Sequence, residues 1–276
     1  MLDLDRPWTE YEYVAFDTET SGAYPLGSEV VEFGAVKWRD GKVIDRYQTL
    51  LKPSEPMSAF IIGIHGITNE MVADAPLMSE KIEEIRNFIK GAIPMAHHAP
   101  FDLGFIAIEM ERAQLSFPSE PAICTSLLAR KVILESSNHK LQTLVKLMNI
   151  DGGQAHRASD DANACLQVGL QCMLRVGATA SLRAILLEVG KELRWTNYAV
   201  FTSHDQKILQ FADAIRRKVA VDIVYQGGRL RNETRRIAPL GLVRNPDGDY
   251  VMALCHRDAV NKRFYLNKMS DLQVEL

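Results

Sequence analysis

The stretch Tyr13-Val14-Ala15-Phe16-Asp17-Thr18-Glu19-Thr20 constrains the fold more than any other part of this 276-residue chain. Its apolar half reads as a short buried strand, and two carboxylates follow two residues apart. Alternation along a strand puts Asp17 and Glu19 on one face, with Phe16 and Thr18 on the other. Like charges so placed shift each other's pKa and oppose folding unless something positive sits between them. A divalent cation is the common reason to keep such a pair. The alternative is a polar strand end in solvent.

Two further strands are expected, Glu29 to Trp38 and Lys42 to Leu50, joined by an Asp40-Gly41 turn. A loop around His65-Gly66-Ile67-Thr68 leads to a helix with Met78, Ile82, Ile85 and Ile89 on one face, closed by Gly91. Ile93 to Ala96 reads as a short strand running into His97-His98-Ala99-Pro100-Phe101-Asp102 and a helix to about Ala113. That helix is apolar nearly all round, so it should be buried. Asp102 lies in its first turn, where it either caps the helix or takes part in chemistry. Ala122 to Cys124 is a candidate strand, with helices near 125–135 and 140–149. A last helix of this series ends near Val176. On it Asp161, Cys165, Val168 and Cys172 form one stripe, which turns Asp161 to the core. Asp160 is about 100° away and caps or meets solvent. His156 lies in the loop just ahead. Strands first, then strand and helix in alternation, indicate an α/β fold with a mixed sheet flanked by helices.

Residues 178–194 read as one more helix and Tyr198 to His204 as a linker. From Asp205 the pattern changes. One helix (Ile208, Leu209, Phe211, Ala212, Ile215) precedes short strands at Val219–Tyr225, Leu230–Ile237, Tyr250–Cys255, Arg263–Leu266 and Leu272–Leu276. Gly227-Gly228 and Asn245-Pro246-Asp247-Gly248 supply turns. Short strands with regular turns fit a small open β-barrel. The expected organisation is a first domain over 8–177, a connecting helix and linker over 178–204, and a small β-barrel domain over 205–276.

Hydrophobic content of 47% and charged content of 24% suit a soluble globular protein. No apolar run approaches the ~18 residues that span a membrane, and Met1-Leu2-Asp3-Leu4-Asp5 lacks the basic start of a signal peptide. A cytoplasmic location is the expectation. The four cysteines form no Cys-x-x-Cys pair, which argues against zinc and disulfides and for reduced, mostly buried thiols. The net charge of -3 hides an asymmetry: residues 1–204 carry 19 Lys and Arg against 26 Asp and Glu, residues 205–276 carry 13 against 9. An acidic front and a basic back suggest two units with different partners.

Asp17 with Glu19, Asp102 and Asp161 are four inward carboxylates with no Lys or Arg expected nearby, and they could not all ionise in a closed core. Two divalent cations resolve this, and oxygen ligands suit Mg2+ or Mn2+. Two ions about 3.5–4 Å apart are suited to in-line displacement at phosphorus. His156 is a candidate base for the attacking water.

Three stretches, Phe16-Asp17-Thr18-Glu19-Thr20, the His-x-Ala-x-Phe-Asp run ending at Asp102, and His156-x-x-x-x-Asp161, resemble the three exonuclease motifs of the DEDDh (DnaQ-like) family. Val31-Glu32-Phe33-Gly34-Ala35-Val36 and His65-Gly66-Ile67-Thr68 agree with it, and the similarity covers roughly residues 11–177. The resemblance implies a ribonuclease-H-like fold and a 3′-to-5′ exonuclease acting on single-stranded DNA or RNA ends. It implies metal ligation by Asp17, Glu19, Asp102 and Asp161, His156 as general base, and Thr18 and Thr20 near the terminal nucleotide. Relatives commonly have His-Asn-Ala where this chain has His97-His98-Ala99. A titratable ring thus replaces an amide at His98, either near the substrate end or as a surface histidine.

Arg235-Arg236-Ile237-Ala238-Pro239-Leu240, Asp249-Tyr250-Val251-Met252-Ala253-Leu254-Cys255-His256 and Arg263-Phe264-Tyr265-Leu266-Asn267-Lys268-Met269 resemble a WYL domain, with Asp249 in place of the naming tryptophan. That resemblance implies a small SH3- or Sm-like barrel that senses a ligand or nucleic acid. Arg236, Arg257 and Arg263 then line a phosphate groove, or else form solvated strand edges. A rival function is a non-catalytic nucleic-acid-binding regulator built on a nuclease scaffold.

Overall fold

The strand that carries Asp17 and Glu19, β1 (Tyr13–Thr20), is the middle strand of a five-stranded sheet. β2 (Val30–Arg39) pairs with it antiparallel and β3 (Lys42–Leu50) extends that side. β4 (Ile93–Ala96) and β5 (Ile123–Cys124) pair parallel on the other side. This is a computed structural model, and it describes residues 2–227 and 233–274. Met1, Gly228 of the second expected hairpin turn, Leu230 at the start of its return strand and Leu276 at the expected end of the last strand lie outside the described residues.

Parallel pairing requires crossovers. Helices α1 (Ala59–His65) and α2 (Met78–Ile89) lie between β3 and β4, and α3 (Pro100–Arg112) lies between β4 and β5. Then come α4 (Thr125–Val132), α5 (Leu141–Leu147), α6 (Ala158–Val176) and α7 (Leu182–Val189). α6 packs against β1 and β2, and α3 against β1 and α2. Tyr13, Val14, Ala15 and Phe16 are fully buried in the resulting core with Phe33, Met95, Leu103 and Trp195.

α1 falls where only a loop was expected. Its signals are in the caps: the Ser58 side chain accepts from the Ile61 N–H, and Gly66 closes the helix in the left-handed region. The expected helix over 178–194 is shortened to α7 for the same reason, with Ser181 as N-cap and Gly190 as the left-handed stop. In the stretch read as a linker, Tyr198, Ala199 and Val200 are buried. The Glu111 carboxylate at the end of α3 accepts the N–H groups of Val200, Phe201 and Thr202.

After α8 (Gln206–Arg217), capped by Asp205, the chain forms β6 (Val221–Tyr225), β7 (Glu233–Val243), β8 (Tyr250–Cys255), β9 (Val260–Tyr265) and β10 (Met269–Val274). The sheet is antiparallel throughout, in the order β10-β6-β7-β8-β9. The barrel expectation holds as far as this sheet and no further. Closure needs its two edge strands to pair, and β9 and β10 do not pair among the described residues. A three-residue 3-10 turn, Leu266–Lys268, carries the chain from one edge strand into the other. β7 continues past Ile237, where the expected strand had ended, and through Pro239, because the register shifts between Pro239 and Gly241. A bulge is where a sheet tolerates a proline.

No helix among the described residues is long and apolar enough to cross a membrane. All four cysteines are buried free thiols.

Candidate active site

One cavity of about 260 Å3 is lined by Asp17, Thr18, Glu19, His97, His98, Phe101, Asp102, Leu141, His156 and Asp161. The four acids and the histidine, up to 144 residues apart in number, therefore share one space. Glu19, His156 and Asp161 each offer a ligand atom, all within 4.8 Å of one another.

β1 supplies Asp17 and Glu19, and a register shift between Glu19 and Thr20 ends its regular pairing at that point. Asp102 enters from the first turn of α3. Its Oδ1 accepts both the backbone N–H of Thr18, at 3.0 Å, and the Thr18 hydroxyl, at 2.8 Å. Asp161 enters from the first turn of α6, buried as its stripe required. Its Oδ2 accepts the His156 N–H at 2.8 Å and its Oδ1 accepts from Gln142 Nε2 at 2.9 Å. Asp160 turns away and accepts the Gln154 N–H. The His156 ring is exposed, on a residue held at a φ of 62°.

The placement of α6 rests on Glu32, a fully buried carboxylate of β2. It accepts from Arg157 Nη2 at 2.7 Å, from the Ala158 N–H at 3.0 Å and from Gln48 Nε2 at 2.7 Å. These bonds outweigh its burial and lower its pKa. A side chain at Gly34 would sit 2.2 Å from the Ser159 nitrogen, so only glycine lets the start of α6 lie this close to β2. The sequence expectation of no cation near the acids is corrected here: Arg157 lies close enough to oppose weakly the rise in the Glu19 pKa, but it is ion-paired to Glu32.

Burial first, and then Asp102 and Glu19, push Asp17 well above the usual carboxylate range. Burial and Asp161 push Glu19 up to about 8. Burial pushes Asp102 up to about 7 against the two bonds from Thr18. Asp161 is raised by burial against the His156 N–H. Acids so crowded either hold protons or share a cation. Carboxylate oxygens with an imidazole at ligand distance fit a divalent metal ion.

Thr18 spends its hydroxyl on Asp102. Thr20 donates to the Gly22 carbonyl and is not among the residues lining the cavity. His98 lines the cavity at a φ of 73°, and burial lowers its pKa. His97 is fixed from both sides: Nε2 donates to the His139 carbonyl at 3.0 Å, so Nδ1 accepts from the Thr125 hydroxyl at 2.9 Å. Sequence reasoning missed Gln142, Arg157 and the role of Glu32. The signal for Glu32 was its place inside the apolar run Val30-Val31-Glu32-Phe33.

The three arginines expected at a phosphate groove have separate partners. Arg236 lies 3.4 Å from Asp222, Arg257 pairs with Glu233, and the Arg263 guanidinium lies over the Tyr250 ring at 4.1 Å.

The exonuclease family model RNase_T matches residues 14–168, and the WYL domain model matches residues 206–274. The chain is 39% identical over 162 residues to the PolC-type DNA polymerase III of Bacillus cereus, covering 59% of this chain and 11% of the polymerase. It is 32% identical over 184 residues to that of Caldanaerobacter subterraneus subsp. tengcongensis, covering 65% and 13%. The chain thus spans about an eighth of these curated relatives. Among solved structures, the nuclease domain of 3'hExo, a DEDDh family member bound to rAMP, aligns with a TM-score of 0.52 at 18% identity, over 63% of this chain and 96% of that one. E. coli Exonuclease I in complex with a dA16 oligonucleotide aligns with a TM-score of 0.54 at 16% identity, over 95% and 63%. Both likenesses are of fold.

Proposed function

The chain belongs to the RNase_T exonuclease family, and from that premise we propose that it removes nucleotides from the 3′ ends of single-stranded DNA or RNA. The observation that carries this reading is the single cavity holding Asp17, Glu19, Asp102, Asp161 and His156. The four carboxylates would hold two divalent ions, Mg2+ or Mn2+. Bound there, such ions supply Lewis-acid stabilisation of charge on the phosphate and its leaving oxygen. The chain's own residues do the rest. His156, solvent-facing at the cavity mouth, takes the proton from the attacking water. Thr18 and Gln142 fix the rotamers of Asp102 and Asp161. The Glu32–Arg157 pair holds the segment that carries His156. Phe101 and Leu141 give the cavity an apolar wall, and His98 stands at its edge in reach of the terminal nucleotide.

The C-terminal unit, in this reading, binds nucleic acid or a regulatory ligand. Its support is the basic excess of residues 205–276 and the Arg263–Tyr250 pair beside Tyr265, a cation–aromatic surface on which a base can stack. Arg236 and Arg257 would add to it electrostatically.

The test is degradation of an end-labelled single strand in the presence of Mg2+, run on DNA and on RNA. Stepwise shortening from the 3′ end, abolished by Asp17→Ala, is the expected result. A wild-type protein that binds Mn2+ yet leaves every strand intact would overturn the assignment.

A further inference from the structure

The loop between β1 and β2 leaves the nuclease sheet one residue after Thr20 and docks on the C-terminal sheet. Leu26 and Leu242 exchange two backbone hydrogen bonds, Leu26 N–H to the Leu242 carbonyl at 3.4 Å and Leu242 N–H to the Leu26 carbonyl at 3.0 Å. The docking point is built on both sides. On β7, the bulge between Pro239 and Gly241 leaves Leu240 out of register. A Cβ at Gly241 would lie 2.3 Å from Tyr24 Cβ and 2.8 Å from the Leu26 carbonyl oxygen, so this approach is open to glycine alone. On the loop, Leu26 is buried in the C-terminal core together with Leu242 and with Ile108 of α3. Between those contacts Pro25 packs against Gly104, two residues beyond Asp102. The neck of the loop is closed by the Ser21 N–H on the Glu29 carbonyl and the Glu29 N–H on the Ser21 hydroxyl. One short loop therefore touches the strand that carries Glu19, the helix that carries Asp102, and the bulge of β7.

We propose that the C-terminal sheet is a positioning element of the nuclease site. Gly241 and Leu242 hold the 21–28 loop, and the loop holds the ends of β1 and α3 that present Glu19 and Asp102. The proposal rests on the nuclease reading above. A displacement of about 1 Å at a reacting centre can cost about 10²-fold in rate, so a contact of this kind acts on kcat without touching the strand.

The test uses the full chain and two measurements. In the first, kcat and KM on a labelled strand with Mg2+ are compared for wild type, Gly241→Ala, Tyr24→Gly and the double variant. Gly241→Ala is expected to lower kcat about tenfold with KM within twofold, and the same substitution in a Tyr24→Gly background, where the nearer clash is gone and only the Leu26 carbonyl oxygen remains close, to lower it about threefold or less. Wild-type kcat in Gly241→Ala, or a drop just as large in the Tyr24→Gly background, overturns the proposal. The second measurement needs only the wild type. Saturating Mg2+ is expected to slow amide hydrogen exchange at Leu26 and Leu242 several-fold and to leave Leu272 of β10 unchanged. Equal exchange at Leu242 with and without Mg2+ overturns the coupling even if the protein is an active nuclease. A wild type that cuts no strand overturns the nuclease reading; if it still binds Mg2+ the exchange experiment decides the coupling, and if it binds none the proposal falls with that reading.

Discussion

Thr18 and Asp102 are joined twice, by the backbone N–H and by the hydroxyl of Thr18, both on Asp102 Oδ1. The two bonds pin the first turn of α3 to β1 and lower the pKa of a carboxylate that burial has raised. Thr18→Val keeps the volume and removes one bond. Groups that orient a metal ligand typically contribute 10- to 100-fold in metal affinity or activity. We expect about tenfold more Mg2+ for half-maximal cleavage, read from a Mg2+ titration of the rate. An unchanged titration would show that Asp102 needs no such support.

His156 is assigned the proton transfer, so His156→Asn should lower kcat by about 10²- to 10⁴-fold. The four acids remain, and Mg2+ should still raise the melting temperature of the variant. Loss of the Mg2+ shift together with activity would move His156 from base to essential ligand.

The raised carboxylates have a consequence for stability in metal-free buffer. Glu19 at about 8 and Asp102 at about 7 bind protons in the folded protein at pH values where the unfolded chain has released them. Their contribution to stability is complete below the unfolded carboxylate pKa and is lost as pH rises through the folded values. The melting temperature in EDTA should therefore fall from about pH 4.5 to about pH 8 and level off above that, and Mg2+ should remove most of the fall at the upper end of that range. A flat profile in EDTA would mean that the acids are ionised without a cation.

Glu32→Gln tests the clamp on α6. The amide keeps the shape but loses the charge paired with Arg157 and one acceptor position. A lost partner at a buried polar group costs about 1–3 kcal/mol, which urea unfolding would resolve. The same variant should lower kcat more than it raises KM, because the segment it loosens carries His156. A variant with wild-type stability and kcat would show that the pair does not hold α6 in place.

The cluster of acids around one cavity was legible because its placement depends on local periodicity. Alternation set Asp17 and Glu19 on one face, and a helical stripe separated Asp161 from Asp160. Supporting groups left no such trace. Gln142 and Arg157 look like ordinary surface residues until the fold brings them to Asp161 and Glu32. α1 was hidden because six apolar residues with Gly63 among them carry little helical signal, and the caps at Ser58 and Gly66 decide it. The far end of β7 was hidden by Pro239, which a bulge accommodates.

The central place of β1 also matters while the chain is being made. Its partner on one side, β2, follows within a hairpin's reach, but on the other side Tyr13 pairs with Ile93. At a synthesis rate of about 5–20 residues per second, that slot stays open for roughly 4–16 s on the ribosome. During that interval the buried central strand of the sheet presents a bare edge, the condition that invites strand exchange between neighbouring nascent chains. Asp17 and Glu19, charged and not yet joined by their later partners, then stand at the end of that edge, where charge discourages such pairing.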